Sequence, residues 1–389
     1  MRIGVPKEIA PRETRVALVP ETVKRLVGKK HELLVQSGAG AASGASDDEY
    51  AKAGARIVAS AEALFAEAEV VLKLQPPLAE EQARLRPEQT LICLAYPLSN
   101  PQLLEQLGAR GVNLLSVDSI PRTTLAQMMD VLSSQATLAG YRAVILAAEA
   151  LPKLFPMLMT AAGTIAPAKV LVLGAGVAGL QAIATARRLG ANVEAFDVRR
   201  VAKEQVESLG ARFIEIEGAA DAQTAGGYAK ELSAEDKAKQ AALLLERMGK
   251  VDAVITTALI PGKKAPLLIT ETMARAMRPH SVIVDLAAEQ GGNCALTKPG
   301  ERIVTAEGVT IIGELNLPAQ MAVHASQMWS RNMEKLVLHL CGKEGAAFNL
   351  DAADEITRGV VTLRRGKLVD PRLVPAAPAA AAPKKEVAA

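Results

Sequence analysis

The sequence predicts an α/β protein with two doubly wound parallel-sheet domains, one inserted into the other. Three observations predict it. Short β-branched apolar runs alternate with amphipathic helical patterns from residue 2 to residue 117, the rhythm of an open parallel sheet with helices on both faces. A second such series starts at Lys169, where an apolar strand runs straight into the glycine-rich turn GAGVAG at 174–179. After that series a helical pattern of more than twenty residues begins at Pro318. A helix of that length, following a complete domain, is expected to return the chain to the first one. A chain of 389 residues is also too long for one ordinary core.

The elements follow in order. Residues 2–5 read as a strand, and 20–27 as a helix with Pro20 suited to its first turn. A strand at 31–36 leads into GAGAASG at 38–44. That run looks like a phosphate loop, but Ser43 stands at the third glycine position and no strong helix opens after it, so it reads as a turn. Helices at 47–53, 61–67, 79–85 and 101–107 alternate with strands at 56–58, 70–74, 90–96 and 112–117. The polar stretch 121–140 then leaves the first domain, and a long helix at about 134–151 crosses to the second. Junctions of this kind are where clefts form.

In the second series, 170–173 is a buried strand and the helix after the turn runs to Leu189, where Gly190 stops it. A strand at 193–196 ends on Asp197. Helix 201–209, strand 212–217, loop 218–230, helix 234–248, strand 253–257, helix 270–277, strand 281–286 and paired strands within 303–312 complete it. The chain ends with the returning helix 318–340 and a hairpin at 360–368 turning at Arg365 and Gly366. The expected division is therefore 1–130 plus 318–370 for the discontinuous domain and 131–317 for the inserted one. An Ala/Pro tail at 371–389 is too biased in composition to build a core.

The turn carries the first functional signal. Gly174 permits the tight strand-to-helix turn, Gly176 lets a pyrophosphate approach the backbone, and Gly179 lets the helix pack closely. The open N–H groups and positive dipole end of the helix then face the phosphate. Asp197 lies 18 residues past Gly179, where a carboxylate accepts both adenosine-ribose hydroxyls. Strand, turn, helix, strand and acid in register describe a Rossmann-like dinucleotide site. Its expected contacts are Gly174, Gly176, Val177, Gly179, Asp197, Val198 and Arg199. Asp197 favours NAD over NADP, because it would repel a 2′-phosphate. Arg199, two residues on, could serve that phosphate instead.

Composition narrows the class. There are 45 basic and 42 acidic residues, and aromatics make up 3%. Without a basic stripe or stacking rings, nucleic-acid binding is not expected. Cys93, Cys294 and Cys341 are few and lack metal spacing, which suits a reducing compartment; Cys93 and Cys294 read as buried thiols. No secretory signal is visible at the N-terminus, and the most apolar region, 143–185, is interrupted by charges and prolines.

Four stretches carry a family resemblance: RTTLAQMMDVLSSQATLAGYR at 122–142, FPMLMTAAGT at 155–164, TAGGYAKE at 224–231 and TTALIPGK at 256–263. The chain to about Leu373 resembles the NAD(H)-binding alpha-1 subunits of proton-translocating transhydrogenases, of the alanine dehydrogenase/transhydrogenase family. The resemblance implies that Arg122, Gln127 and Asp130, with Met128 and Met129, form a loop that holds the dihydronicotinamide. It implies that Ser133 hydrogen-bonds the carboxamide and that Gln127 reaches toward NADP(H) on a partner subunit. Gly227 and Tyr228 resemble a loop that closes over nucleotide, and Leu259 should line the crevice. It further implies a homodimer, an NADP-binding subunit, a membrane-spanning proton-channel subunit, and a cytoplasmic place on the inner membrane face held through those partners.

The same family contains alanine dehydrogenases, which are the rival reading. Arg15 has a counterpart there. An alanine dehydrogenase would carry lysine where this chain has Gln75 and histidine where it has Tyr96. Oxidising an amine or alcohol needs a group to take its proton. Passing hydride between two nicotinamide rings needs positioning and no general base. His31, His280, His324 and His339 all lie outside 122–135 and read as surface or packing residues. A non-catalytic NAD-sensing or assembly module is the other reading left open.

Overall fold

The computed structural model describes residues 1–216, 233–260, 262–342, 345, 347–351 and 353–373. Loop 218–230 and nearly all of the Ala/Pro tail lie outside them. The first series gives strands β1 (Arg2–Val5), β2 (Glu32–Gln36), β3 (Arg56–Val58), β4 (Val70–Leu72), β5 (Thr90–Cys93) and β6 (Asn113–Ser116). Between them run helices α1 (Pro20–Gly28), α2 (Asp47–Lys52), α3 (Ala61–Glu67), α4 (Ala79–Arg84) and α5 (Pro101–Ala109). Strands β4, β5 and β6 are buried throughout, and β4 is apolar at every position.

The chain then crosses on α6 (Val131–Ala150). The second series comprises hairpin β7 (Leu158–Thr160) and β8 (Gly163–Ile165), then β9 (Lys169–Leu173), α7 (Val177–Arg188), β10 (Asn192–Phe196), α8 (Ala202–Ser208), β11 (Arg212–Ile214), α9 (Ala234–Met248), β12 (Ala253–Thr256), α10 (Glu271–Arg275), β13 (Val282–Asp285), β14 (Arg302–Val304) and β15 (Thr310–Ile312). Helix α11 (Ala322–Cys341), α12 (Glu355–Val360) and the hairpin β16 (Val361–Arg364) and β17 (Lys367–Leu368) follow.

Among the described residues these strands form two large sheets. One runs β17-β16-β6-β5-β4-β1-β2-β3 and the other β11-β10-β9-β12-β13-β15-β14. Both are doubly wound: each opens with a parallel pair series that reverses direction at its first strand, between β1 and β4 or between β9 and β12. Antiparallel strands occur only at the edges, as β16 on β6 and β14 on β15. The second sheet is built wholly from residues between those that supply β6 and β16 of the first.

Two helices join the sheets. Helix α6 starts in the first core, where Val131 is buried with Ile3 and Leu72. It ends in the second, where Ala143, Val144 and Ala147 pack on Val170 and Val172. Gly140 lies against α7 so closely that an added Cβ would overlap the Ala178 carbonyl oxygen. Helix α11 brings Trp329, Met333, Leu336, Val337 and Leu340 back into the first core, each worth about 1.5–3 kcal/mol of burial.

The structure departs from the sequence expectation at several places, among them an unexpected helix, α12, before the final hairpin. Helix α6 starts at Val131, three residues earlier, because the Asp130 carboxylate caps it by accepting from Ser133 N at 2.9 Å. The returning helix is not continuous from Pro318. Asn316 sits at φ +49° and residues Leu317–Met321 form a 3-10 turn before α11 begins. Hairpin β7–β8 was not expected; all six of its strand residues are exposed, so burial leaves no alternation to read. Among the described residues, no helix is long and apolar enough to cross a membrane.

Candidate functional site

The carboxyl end of β9 runs into Gly174 at φ +100°, a conformation that favours glycine. Gly176 is the N-cap of α7, and a Cβ added there would enter open space. The first-turn N–H groups of α7, which begins at the next residue, have no intrahelical acceptor. Gly179 faces the opposite way. An added Cβ would overlap the Gly174 carbonyl oxygen, so it allows the helix to sit on the end of the strand. An open cradle at Gly176 and helix N–H groups beside it fit a dinucleotide pyrophosphate.

Asp197 follows β10 directly. Its side chain is 6% exposed. Oδ2 accepts from Ala175 N at 2.7 Å, and Oδ1 from Arg199 N at 2.9 Å. The Arg199 guanidinium donates to both oxygens, at 2.9 and 2.8 Å. Burial alone would raise the Asp197 carboxyl, but the Arg199 hydrogen bonds and charge hold it below the usual carboxylate range. The acid and base that the sequence set in competition are thus an ion pair. Val198, between them, packs partly against the apolar cluster of Leu171, Leu173 and Phe196.

The loop 122–130 lies at the start of α6. Residues Ala126–Met129 make a 3-10 turn. Arg122, Gln127 and Met128 are exposed, and so is Leu125, at 58%. Met129 points the other way: it is 3% exposed and packs in the first core beside Ala126. A tight turn puts consecutive side chains on different faces, which is why Met128 and Met129 part here. Asp130 has two tasks. Its Oδ1 caps α6, and its Oδ2 accepts from Ser133 Oγ at 2.6 Å. With its proton committed to Asp130, Ser133 Oγ keeps lone pairs to accept from an amide NH2.

Across the cleft, β12 leads into the loop with Leu259, 43% exposed. Gly262, at φ +70°, packs on Leu98 of the first domain, whose Cβ would lie 3.0 Å from an added Cβ. Tyr96, at φ +49°, and Leu98 follow β5. The loops that follow β5 and β12 at the carboxyl ends of the two sheets therefore touch. Gly227 and Tyr228 lie outside the described residues.

The family descriptions "Alanine dehydrogenase/PNT, N-terminal domain" and "Alanine dehydrogenase/PNT, C-terminal domain" match residues 4–139 and 143–371. The chain belongs to the alanine dehydrogenase/PNT family. It is 47% identical over 380 residues to an NAD(P) transhydrogenase subunit alpha chain of Rhodospirillum rubrum, covering 96% of this chain and 99% of that one. A crystal structure of transhydrogenase from Sinorhizobium meliloti superposes with a TM-score of 0.83 at 40% identity, covering 96% of this chain and all of that one. An alanine dehydrogenase of Halomonas elongata is more distant, at 33% identity over 88% of each chain.

Arg15 and Gln75, two of the positions weighed for the alanine dehydrogenase reading, lie in one largely buried network. Arg15 is 4% exposed. It donates to both Glu13 oxygens at 2.8 and 2.6 Å, to Gln135 Oε1 at 2.9 Å and to Asn316 Oδ1 at 3.0 Å. Gln75 Nε2 donates to Glu13 Oε2 at 2.8 Å. Burial opposes ionisation of Glu13, yet Arg15 and Gln75 hold its carboxyl down at about 2. The network ties the loops after β1 and β4 to α6 and to the chain returning from the second sheet. Sequence reasoning singled out Arg15 and Gln75 but not Glu13, Gln135 or Asn316 as their partners.

Asp285 and Asn293 were also missed. Asp285, 1% exposed at the end of β13, accepts from Thr256 Oγ1, Thr297 Oγ1 and the N–H groups of Ala287, Asn293 and Cys294. Asn293 is fully buried and grips Ala258 from both sides, its Oδ1 accepting from Ala258 N at 3.1 Å and its Nδ2 donating to Ala258 O at 2.9 Å. The sequence showed there only a strand at 281–286 followed by the run QGGN.

The remaining expectations resolve simply. His31 is buried, His339 pairs with Asp354 at 2.8 Å, and His280 and His324 are exposed. All three cysteines are buried, and burial pushes each thiol up. The 38–44 turn is stabilised by its own chain: Asp47 accepts from Gly38 N, and an added Cβ at Gly40 would lie 2.6 Å from the Tyr50 ring.

Proposed function

We propose that this chain binds NADH in the crevice at the glycine turn and presents the dihydronicotinamide to NADP+ held by a partner subunit. A membrane-spanning subunit couples the transfer to proton movement. Hydride passes from one ring carbon to another, so NAD+ and NADPH form and no side chain exchanges a proton.

The residues divide the work. Gly174, Gly176, Val177 and Gly179 open the N-terminus of α7 to the pyrophosphate. Asp197, already charged and aligned by Arg199, accepts from the adenosine ribose. Ser133 accepts from the carboxamide through the lone pairs left by its bond to Asp130. Arg122, Gln127 and Met128 face outward from loop 122–130, Gln127 toward the partner's nucleotide. Leu259 walls the crevice opposite, and Gly227 and Tyr228 close over it.

The observation that carries this reading over an alanine dehydrogenase is the Glu13 network. Arg15 is committed to Glu13, Gln135 and Asn316, and Gln75 is committed to Glu13. A small carboxylate would have to displace these buried bonds, and neither neighbouring amide can act as a base at neutral pH.

The division into 1–130 plus 318–370, 131–317 and the tail 371–389 belongs to the same reading, supported by the strand membership of the sheets. So does the homodimer: the exposed hairpin β7–β8 carries Met157, Leu158, Met159 and Ile165, between 42% and 75% exposed, and such an apolar cluster wants a cover. The chain is proposed to sit on the cytoplasmic face of the membrane through its partner subunits.

The test mixes the chain with the NADP-binding subunit and follows hydride transfer from NADH to thio-NADP+. Transfer that needs both proteins is expected. Robust oxidation of NADH by the chain alone with pyruvate and ammonia would overturn the proposal in favour of the dehydrogenase. NADH bound normally with no transfer in the mixture would favour a sensing or assembly module.

A further inference from the structure

The Gly174–Ala175 peptide beneath the turn has both polar groups engaged. Its N–H donates to Asp197 Oδ2 at 2.7 Å. Its carbonyl accepts from Thr257 Oγ1 at 3.0 Å and faces Gly179. Thr257 follows β12, the strand beside β9 where the strand order reverses. It is a braced support. The next residue, Ala258, is gripped by Asn293, whose own N–H is held by Asp285 at 2.8 Å. Behind it, Thr257 N donates to Leu173 O at 2.9 Å.

This arrangement has a consequence for the turn. A peptide following a glycine rotates easily, because both conformational regions are open to Gly174. Rotating this one would re-aim every N–H that follows it into α7. Of the two carbonyls in reach of the Thr257 hydroxyl, Gly174 O at 3.0 Å is nearer than Leu173 O at 3.4 Å, and holding Gly174 O opposes that rotation.

We propose that Thr257 is a positioning residue for dinucleotide binding. Its hydroxyl, with Asp197 at the other end, locks the Gly174–Ala175 peptide in the orientation that aims the first N–H groups of α7 at a pyrophosphate. The inference rests on the reading that this crevice takes NADH. Thr257 touches the turn and acts through it.

The test uses the full chain and three probes: NADH, ADP and adenosine, bound directly or as competitors in fluorescence titration. Thr257→Val keeps the shape and removes the donor, so Kd for NADH and for ADP should rise about tenfold, the order of one hydrogen bond. Adenosine, which has no pyrophosphate, should bind within about twofold of wild type. Thr257→Ser keeps the hydroxyl and should restore NADH affinity. Because Thr257 and Asp197 hold the two ends of one peptide, Thr257→Val and Asp197→Asn together should weaken NADH binding less than the product of the single losses. Thr257→Ala replaces Thr257→Val if the latter does not fold. Unchanged NADH affinity in the donor-lacking variants, equal loss for adenosine and ADP, or a Thr257→Ser variant as weak as Thr257→Val would each overturn the inference. Wild type that binds no NADH would instead overturn the nucleotide reading on which it stands.

Discussion

Asp130→Asn is the sharpest perturbation of the proposed nicotinamide loop, because it changes hydrogen-bond polarity at constant shape. In the native protein Asp130 Oδ1 accepts from Ser133 N at 2.9 Å and Oδ2 from Ser133 Oγ at 2.6 Å. Asparagine caps helices as well as aspartate does, so its remaining oxygen keeps the cap on α6. The cost there is the lost charge at the helix N-terminus, about 0.3–1 kcal/mol. The amide NH2 replaces Oδ2 and donates to Ser133 Oγ. That occupies the lone pair proposed for the carboxamide and turns the hydroxyl proton outward, where it meets a donor with a donor. Losing one such bond and leaving a mismatch costs about 1.4–2.8 kcal/mol, a tenfold to hundredfold slower hydride transfer. NADH affinity should change less, since the adenosine half is held at Asp197 and the glycine turn. The assay is NADH to thio-NADP+ transfer with the partner subunit, beside NADH titration and thermal unfolding. Native transfer by Asp130→Asn would refute the role given to Ser133. Loss of Tm matching the loss of rate would show instead that the pair only holds the helix.

Other perturbations separate function from folding. Gln127→Asn shortens an exposed side chain that makes no core contact, so it should slow transfer far more than it weakens NADH binding; equal losses would contradict its place at the partner interface. Glu13 titrates at about 2 in the folded chain against 4.5 ordinarily. A depressed carboxyl stabilises the fold above its unfolded value and loses that contribution as pH falls toward 2, here about 3 kcal/mol. Acid titration of unfolding should therefore be shallower for Glu13→Gln between pH 4.5 and 2, and parallel curves would show the network to be neutral. Lys73, 1% exposed, lies 3.0 Å from Glu8 and 2.5 Å from Glu81, both also buried. Lys73→Met would strand two carboxylates and should lower stability by about 3–5 kcal/mol at pH 7, read by urea unfolding; a loss below about 1 kcal/mol would mean the carboxylates protonate or find water.

Much of this was legible because it is local. Apolar runs placed strands β1 to β6 and β9 to β13 within a few residues, and glycine at 174, 176 and 179 named the turn before its geometry was known. What was not legible depends on partners far apart in the chain. Arg15 meets Gln135 and Asn316 across separations of 120 and 301 residues, and no pattern near Arg15 announces them. Asn332, on a helix read as packing, donates to the Met128 carbonyl at 2.8 Å and so supports the loop from below. Met128 and Met129 look alike in sequence, yet one is 53% exposed and the other 3%; only the 3-10 turn tells them apart. Hairpin β7–β8 escaped notice because strands buried on neither face carry no alternation.

The two sheets make a stronger point about topology. Both reverse strand order beside their first strand, so strand order alone offers two ligand crevices, one beyond β1 and β4 and one beyond β9 and β12. They differ in what the chain puts there. After β9 comes a glycine turn whose open space at Gly176 no side chain enters. After β1 and β4 the chain supplies its own charges: Glu8 accepts from Leu74 N at 2.6 Å and from Lys73 at 3.0 Å, and Glu13 collects Arg15 and Gln75. A phosphate brought there would face Glu8 and Glu13, and the short helix that opens after β4, α4, carries Glu80 and Glu81 in its first turn. The fold permits two sites, and the open glycine turn favours the one beyond β9 and β12. Under the proposed function the first sheet would serve as the platform for loop 122–130, whose Ala126 and Met129 pack into its core.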